Sequence, residues 1–244
     1  VSERFTGEFQ WRIGSKRTHD ISGNALPQLR LGVLLSGAGS NLQALIDAME
    51  SGQLPRVEIA LVLSHNAEAY GIQRALKHRL PVAYVPWRKS PSGMAGYEMT
   101  PSEKQIAGLL HWFGVDLVVL AGWMRILSAP FLAQFAHRVI NLHPALLPQE
   151  GTGSTCTLRS GETIPALRGL HAVKMALDAG LRVTGSSVHY VTAEVDAGPV
   201  ICQQEVPIEP GDTEERLHAR LKEVEHRLIV EAIRQIQRNE GWRA

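Results

Sequence analysis

Between residues 31 and 140, short apolar runs alternate with segments whose apolar residues recur at helical spacing, and this alternation limits the possible folds more than any other feature. The runs at 31–35, 57–63, 81–85, 116–120 and 138–140 are too short for buried helices and read as strands. Between them, residues 42–49 put Leu42, Leu45 and Met49 on one helical face, residues 67–78 read as a second helix, and a third begins at Thr100. Thr100-Pro101-Ser102-Glu103 supplies an N-cap, a first-turn proline and a capping-box glutamate, followed by the stripe Ile106, Leu109, Leu110 and Phe113. Apolar strands joined through helices run parallel, and a sheet apolar on both faces is covered on both. The expected class is therefore α/β, an open and mostly parallel sheet with helices on both faces.

The pattern changes after Pro148. Residues 149–163 are rich in Gly, Ser and Thr and read as a loop, and residues 171–179 read as a helix capped by Gly180. Residues 186–191 and 199–206 read as strands, antiparallel across the turn Asp196-Ala197-Gly198, which gives the sheet an antiparallel C-terminal part. A last helix is expected to be capped by Asp212, with Glu215 three residues on, and to run to about residue 237. The first 30 residues carry Gly7, Gly14, Gly23 and Pro27 without a clear period and read as an N-terminal extension, flexible in part, ahead of one domain over 31–244.

Composition narrows the functional classes. A net charge of +1 argues against a broad polyanion surface, so no nucleic-acid partner is expected, while a single local phosphate site stays open. Cys156 and Cys202 give neither a disulfide framework nor a zinc site, and a reducing cytoplasm is the simplest home. No apolar run reaches membrane-spanning length, and the first residues are too polar for a secretory signal.

Candidate chemistry lies at strand ends. Asn141 and His143 fall at or just past the end of the fifth strand and share a face, because strand side chains repeat every second residue. An amide and an imidazole on an exit stiffened by Pro144 and Pro148 can polarise a carbonyl and move a proton. Ser36-Gly37-Ala38-Gly39-Ser40-Asn41 joins the first strand to the first helix, and unpaired N–H groups at a helix N-terminus bind anions. Leu42 stands where a dinucleotide fingerprint needs glycine and the P-loop lysine is missing, so a single phosphate suits this loop best; a tight turn with an N-cap is the plain alternative. Met124-Arg125-Ile126-Leu127 follows the fourth strand, where open α/β sheets bind ligands. Asp196 reads as a turn former or a reacting carboxylate, His189 as a supporting or a solvated group, and Glu225 as part of a charged outer helix face. The loop at Ser36, the segment after Gly122 and the Asn141–His143 pair converge on one edge of the sheet.

These ordered motifs, together with Val188-His189, Asp196-x-Gly198-Pro199, Gly211-Asp212-Thr213 and Glu225-His226, resemble the phosphoribosylglycinamide formyltransferase family from Leu31 to about Ile236. The resemblance implies a Rossmann-like fold and formyl transfer from 10-formyltetrahydrofolate, a co-substrate, to the amino group of glycinamide ribonucleotide in de novo purine biosynthesis. It implies catalytic roles for Asn141, His143 and Asp196, with Asn141 and a protonated His143 donating to the oxyanion and Asp196 holding His143 charged and orienting a proton-shuttling water. By the same analogy Gly39, Ser40 and Asn41 take the acceptor's phosphate and Glu225 its ribose. Met124, Arg125, Ile126 and Leu127, with Thr192, Ala193, Glu194 and Val195, take the folate, while His189 and Gly198 support the site. No metal is expected, and the resemblance implies a monomer or a homodimer.

Three departures stand out. Gly169-Leu170-His171 lies well downstream of Pro148, so residues 149–168 read as a loop insertion beside the site, its composition favouring a bulge over a lid or an obstruction. No Arg occurs around Ser92-Gly93-Met94-Ala95-Gly96-Tyr97, where the family commonly has one. The N-terminal extension has no counterpart. Rival readings are a formyltetrahydrofolate deformylase-like hydrolase and an inactive folate- or nucleotide-binding relative. The short stretch ahead of the first strand argues against the deformylase's regulatory domain. The end of the chain after the last helix and its balanced charge argue against an RNA-binding formyltransferase.

Overall fold

The computed structural model describes residues 29–88 and 98–239. The expected N-terminal extension and the stretch 92–97 fall outside the described residues, apart from Leu29 and Arg30, which begin the first strand. In chain order the elements are β1 (Leu29–Leu35), α1 (Ser40–Glu50), β2 (Val57–Ser64), α2 (Tyr70–Lys77), β3 (Val82–Tyr84), α3 (Pro101–Trp112), β4 (Leu117–Leu120), α4 (Ala129–Gln134) and β5 (Val139–His143). There follow β6 (Thr155–Thr157), β7 (Thr163–Pro165), α5 (Ala172–Asp178), β8 (Val183–Tyr190), β9 (Val200–Pro207) and α6 (Glu214–Asn239).

Seven strands form one sheet in the order β3-β2-β1-β4-β5-β8-β9. The pairs from β3 to β5 are parallel, and β8 and β9 add antiparallel at the far edge. The chain winds outward from β1 in one direction through β2 and β3 and in the other through β4 and β5. The reversal between β1 and β4 leaves a crevice at their carboxyl ends, the usual ligand site of such sheets.

Alternation along each strand feeds two apolar layers. On one face Leu31, Val33 and Leu35 pack with Leu42 and Leu45 of α1 and with Leu221, Ile229 and Ile233 of α6. On the other, Leu34 and Val118 pack with Ile106 and Leu110 of α3, with Phe131 of α4 and with Phe135 at the end of that helix. Helix α3 begins as its sequence requires: Thr100 Oγ1 accepts from the Glu103 N–H at 3.1 Å and the Glu103 carboxylate accepts from the Thr100 N–H at 2.6 Å.

Three readings need correction. Residues 149–163 are not a plain loop, because β6 and β7 pair antiparallel as a two-stranded hairpin. Cys156 and Ile164 point inward from it and join Leu146 and Leu158 in a small apolar cluster of its own. Asp212 does not cap α6: its carboxylate is held by Arg220 and by the Glu209 N–H, so Thr213 serves instead, its Oγ1 accepting from the Arg216 N–H at 3.3 Å. Strand β5 also runs on through His143, because β8 pairs beside it and carries the ladder past Ile140.

Candidate active site

A cleft of about 710 Å³ opens at the carboxyl edge of the sheet. Every residue expected at the site borders it except Gly198. That glycine serves the backbone instead, since a Cβ there would meet the Tyr190 carbonyl oxygen at 1.8 Å.

One end is built from backbone. Gly39 caps α1 with φ 68°, a left-handed conformation that glycine adopts without steric cost. A Cβ there would also meet the Gly71 Cα at 2.5 Å, so α2 packs directly on the turn. Arg74 of α2 donates from Nε to the Ala38 carbonyl at 2.9 Å and braces the loop from outside. Gly39, Ser40 and Asn41 line the cleft at the start of α1, where the first N–H groups of a helix lack intrahelical partners. From α6, His218, Lys222 and Glu225 border the same end. Glu225 is not on an outer face: it is 7% exposed, and its carboxyl accepts from Asn41 Nδ2 at 3.2 Å. Burial pushes Glu225 above the ordinary carboxylate range, against the pull of Asn41 and Lys222. Asn41 Oδ1 is buried without a protein partner.

The reacting end lies across the sheet edge. Register puts Leu120 opposite Asn141 and Asn141 opposite His189, so one row of the sheet carries the amide and an imidazole side by side. Asn141 Nδ2 lies 3.2 Å from His189 Nε2 and 3.5 Å from Asp196 Oδ1. His189 is buried, not solvated; its Nδ1 donates to the Tyr190 carbonyl at 2.9 Å, and its Nε2 faces both Asn141 Nδ2 and, at 3.5 Å, Asp196 Oδ1. His143 is 3% exposed; its Nε2 donates to the Leu167 carbonyl at 2.7 Å and its Nδ1 lies 3.4 Å from Asp196 Oδ2. Burial pulls His143 below the usual imidazole value, and the Asp196 carboxylate and Leu167 carbonyl only partly restore it. Desolvation, the larger effect, thus works against the expectation that Asp196 keeps His143 charged. Asp196 itself sits at about 2: burial raises it, but the hydrogen bond with His189, the charge of His143 and the Gly169 N–H together outweigh burial.

The two ends are joined by a wall suited to a flat ligand. Ser36 Oγ accepts from the Met124 N–H at 2.9 Å, tying the loop after β1 to the segment after β4. Met124, Ile126, Leu170 and Val195 leave large apolar side chains exposed at the mouth. Trp87, at 6.0 Å from the ring of Trp123 and from the Arg125 guanidinium, closes the far side. Trp87, Lys222, His218 and Leu170 escaped the sequence reading. Lys222 carried a usable signal, since it stands three residues before Glu225 and therefore on the same helical face. Among the described residues no group of three or more His, Cys, Asp or Glu is arranged to hold a metal.

One cleft thus brings a helix-start turn, a chemistry able to bind an anion, together with an amide, an imidazole and a carboxylate, groups able to polarise a carbonyl and move a proton. The family description of formyl transferase matches residues 29–233, and the chain belongs to that family. It is 39% identical over 199 residues to the phosphoribosylglycinamide formyltransferase of Haemophilus influenzae, a match spanning 82% of each chain. It is 36% identical over 206 residues to the trifunctional purine biosynthetic protein adenosine-3 of Gallus gallus, covering 84% of this chain but only 18% of that much longer protein. Among solved structures, glycinamide ribonucleotide transformylase 1 from Symbiobacterium toebii superposes with a TM-score of 0.71 at 40% identity, over 84% of this chain and 86% of that one. A formyltetrahydrofolate deformylase from Pseudomonas syringae superposes at 0.69 with 26% identity, over 84% of this chain and 60% of that one.

Proposed function

We propose that the protein transfers a formyl group from 10-formyltetrahydrofolate to the amino group of glycinamide ribonucleotide, a cytoplasmic step of de novo purine biosynthesis carried out by a monomer or homodimer. The observation that carries this reading is one cleft with an anion cradle at one end and Asn141, His143 and Asp196 at the other. The acceptor's phosphate rests on the N–H groups at Gly39, Ser40 and Asn41, with Lys222 supplying a cation opposite. The Asn41 side chain is committed to Glu225, so its phosphate contact is through backbone, and the paired Asn41 and Glu225 meet the ribose hydroxyls. The folate lies along Met124 to Leu127 and the turn Thr192 to Val195, its rings on the exposed apolar side chains there.

The amine attacks the formyl carbon and the carbonyl electron pair moves onto oxygen. Asn141 has a second Nδ2 hydrogen beyond the one directed at His189, and it donates that to the oxyanion. A neutral His143 accepts the proton that the amine releases, by way of a water held at Asp196. The resulting imidazolium lies 3.4 Å from a carboxylate that stays ionised, so the charge forms where it is stabilised. The proton passes to the leaving folate nitrogen as the tetrahedral intermediate collapses. Oxyanion donors contribute on the order of 10²–10³ in rate and general acid–base assistance roughly 10²–10⁴.

The test is the production of tetrahydrofolate from 10-formyltetrahydrofolate with and without glycinamide ribonucleotide. Turnover that requires the acceptor is expected. Full turnover of donor alone would make the protein a hydrolase, and none in either case would make it a binder.

A further inference from the structure

We infer that Arg168 is a positioning residue for the reaction: anchored on the start of the 149–168 segment, its guanidinium fixes the Asp196 turn so that the carboxylate faces His143, His189 and Asn141. Asp196 has φ 50°, a left-handed conformation that Asp adopts more readily than most residues and that hydrogen bonds from its surroundings hold in place here. The enforcement comes from one short stretch. Arg168 Nε donates to the Asp196 carbonyl at 3.0 Å, and its Nη2 donates to the carbonyls of Gly151 and Gly153 at 2.9 and 2.8 Å. The next residue, Gly169, gives its N–H to Asp196 Oδ2 at 2.8 Å, and the preceding one, Leu167, takes the His143 Nε2 proton. Residues 167, 168 and 169 thus hold both reacting groups in turn.

The far anchor is firm. Gly151, at φ 77°, backs so closely on the Asp196 turn that a Cβ there would lie 2.3 Å from the Ala197 oxygen and 2.4 Å from Gly198. Gln149 and Val200 exchange two hydrogen bonds, and the hairpin has its own apolar cluster. Arg168 makes no salt bridge among the described residues; its planar fork is spent on three carbonyls, a geometry that the point charge of lysine does not reproduce. The segment that reads as a bulge in the sequence is, in this account, a strap that orients the reacting carboxylate.

The activity arm of the test rests on the proposed formyl transfer; the titration arm does not. Arg168→Ala and Arg168→Lys are compared with the unmodified chain for kcat and for KM of glycinamide ribonucleotide. The His143 imidazole is titrated by NMR in the ligand-free proteins. Misplacing the carboxylate is expected to lower kcat by about 10–10² in both variants while the acceptor KM stays within about threefold. The groups facing His143 are Asp196, His189 and Arg168; the Asp196 carboxylate raises its titration, and positive charge at Arg168 or His189 lowers it. Arg168→Ala therefore moves the His143 midpoint down if the carboxylate swings away, and up if only a nearby positive charge has gone. Arg168→Lys keeps that charge and is expected to move the midpoint down as well, so it decides the matter should the alanine variant fail to fold. A midpoint that rises or stays in Arg168→Ala, or wild-type kcat and midpoint in Arg168→Lys, would overturn the inference. If the unmodified chain forms no product, the proposed reaction fails while the titrations still decide the role of Arg168.

Discussion

Replacing Asp196 with asparagine removes one charge and keeps the shape. Asn, like Asp, tolerates a φ of 50°, so the turn is expected to stand. The side chain is 10% exposed and the carboxyl sits at about 2 in the folded protein. An unfolded Asp titrates near 3.9, so the gap of roughly 2 units corresponds to at most about 2–3 kcal/mol of stability, and less at pH 7, where the His143 charge that contributes to the depression is absent. Because the folded value is the depressed one, that stability is complete well above about pH 4, is about halved near pH 3, and is lost as pH falls through about 2. Urea unfolding followed by tryptophan fluorescence at pH 7 and pH 3 reads this directly. Asp196→Asn is expected to unfold with less stability at pH 7, by up to about 2–3 kcal/mol, and the contribution of the carboxylate is expected to fall away as pH drops through about 3 to 2. The same variant is expected to lose at least ~10² in turnover, because the imidazolium formed at His143 no longer faces a carboxylate. Equal unfolding midpoints and slopes at pH 7, or near-normal turnover, would refute the reasoning.

Further outcomes follow from the same geometry. Asn141→Ala removes the oxyanion donor and is expected to lower kcat by on the order of 10²–10³ with little change in either KM, measured by steady-state turnover. Gly39→Ala forces a side chain onto the Gly71 backbone at a positive φ, and calorimetry is expected to show lost affinity for glycinamide ribonucleotide with folate-analogue affinity retained. Lys222→Met removes the cation opposite the cradle, and the acceptor KM is expected to rise about tenfold while the folate KM holds.

What the sequence reveals here depends on how far apart in the chain the interacting groups lie. The capping box at Thr100 and Glu103 is complete within four residues and is readable from them alone. The alternation of strands and helices fixes the parallel sheet, and with it the edge where Gly39, Met124 and Asn141 meet. Periodicity alone leaves Glu225 on an outer face and His189 either supporting or solvated, because a charged helix position and a strand imidazole look solvated until Asn41 and Asn141 arrive from distant segments. The β6–β7 hairpin is hidden by two three-residue strands, each with a single inward residue, in a Gly/Ser/Thr-rich setting. The direction of the His143 shift is hidden for a different reason: the pattern shows the carboxylate partner but not the burial that outweighs it.

The central claim is that one cleft holds the acceptor's phosphate at the start of α1 and its reacting amine beside Asn141 and His143. The direct measurement is a crystal structure with glycinamide ribonucleotide and a non-transferring folate analogue bound together. Phosphate oxygens are expected within hydrogen-bond distance, about 3 Å, of the Ser40 and Asn41 N–H groups, with the analogue's carbonyl equivalent within the same reach of Asn141 Nδ2. A phosphate bound elsewhere, or an analogue whose carbonyl equivalent lies away from Asn141 and His143, would contradict it.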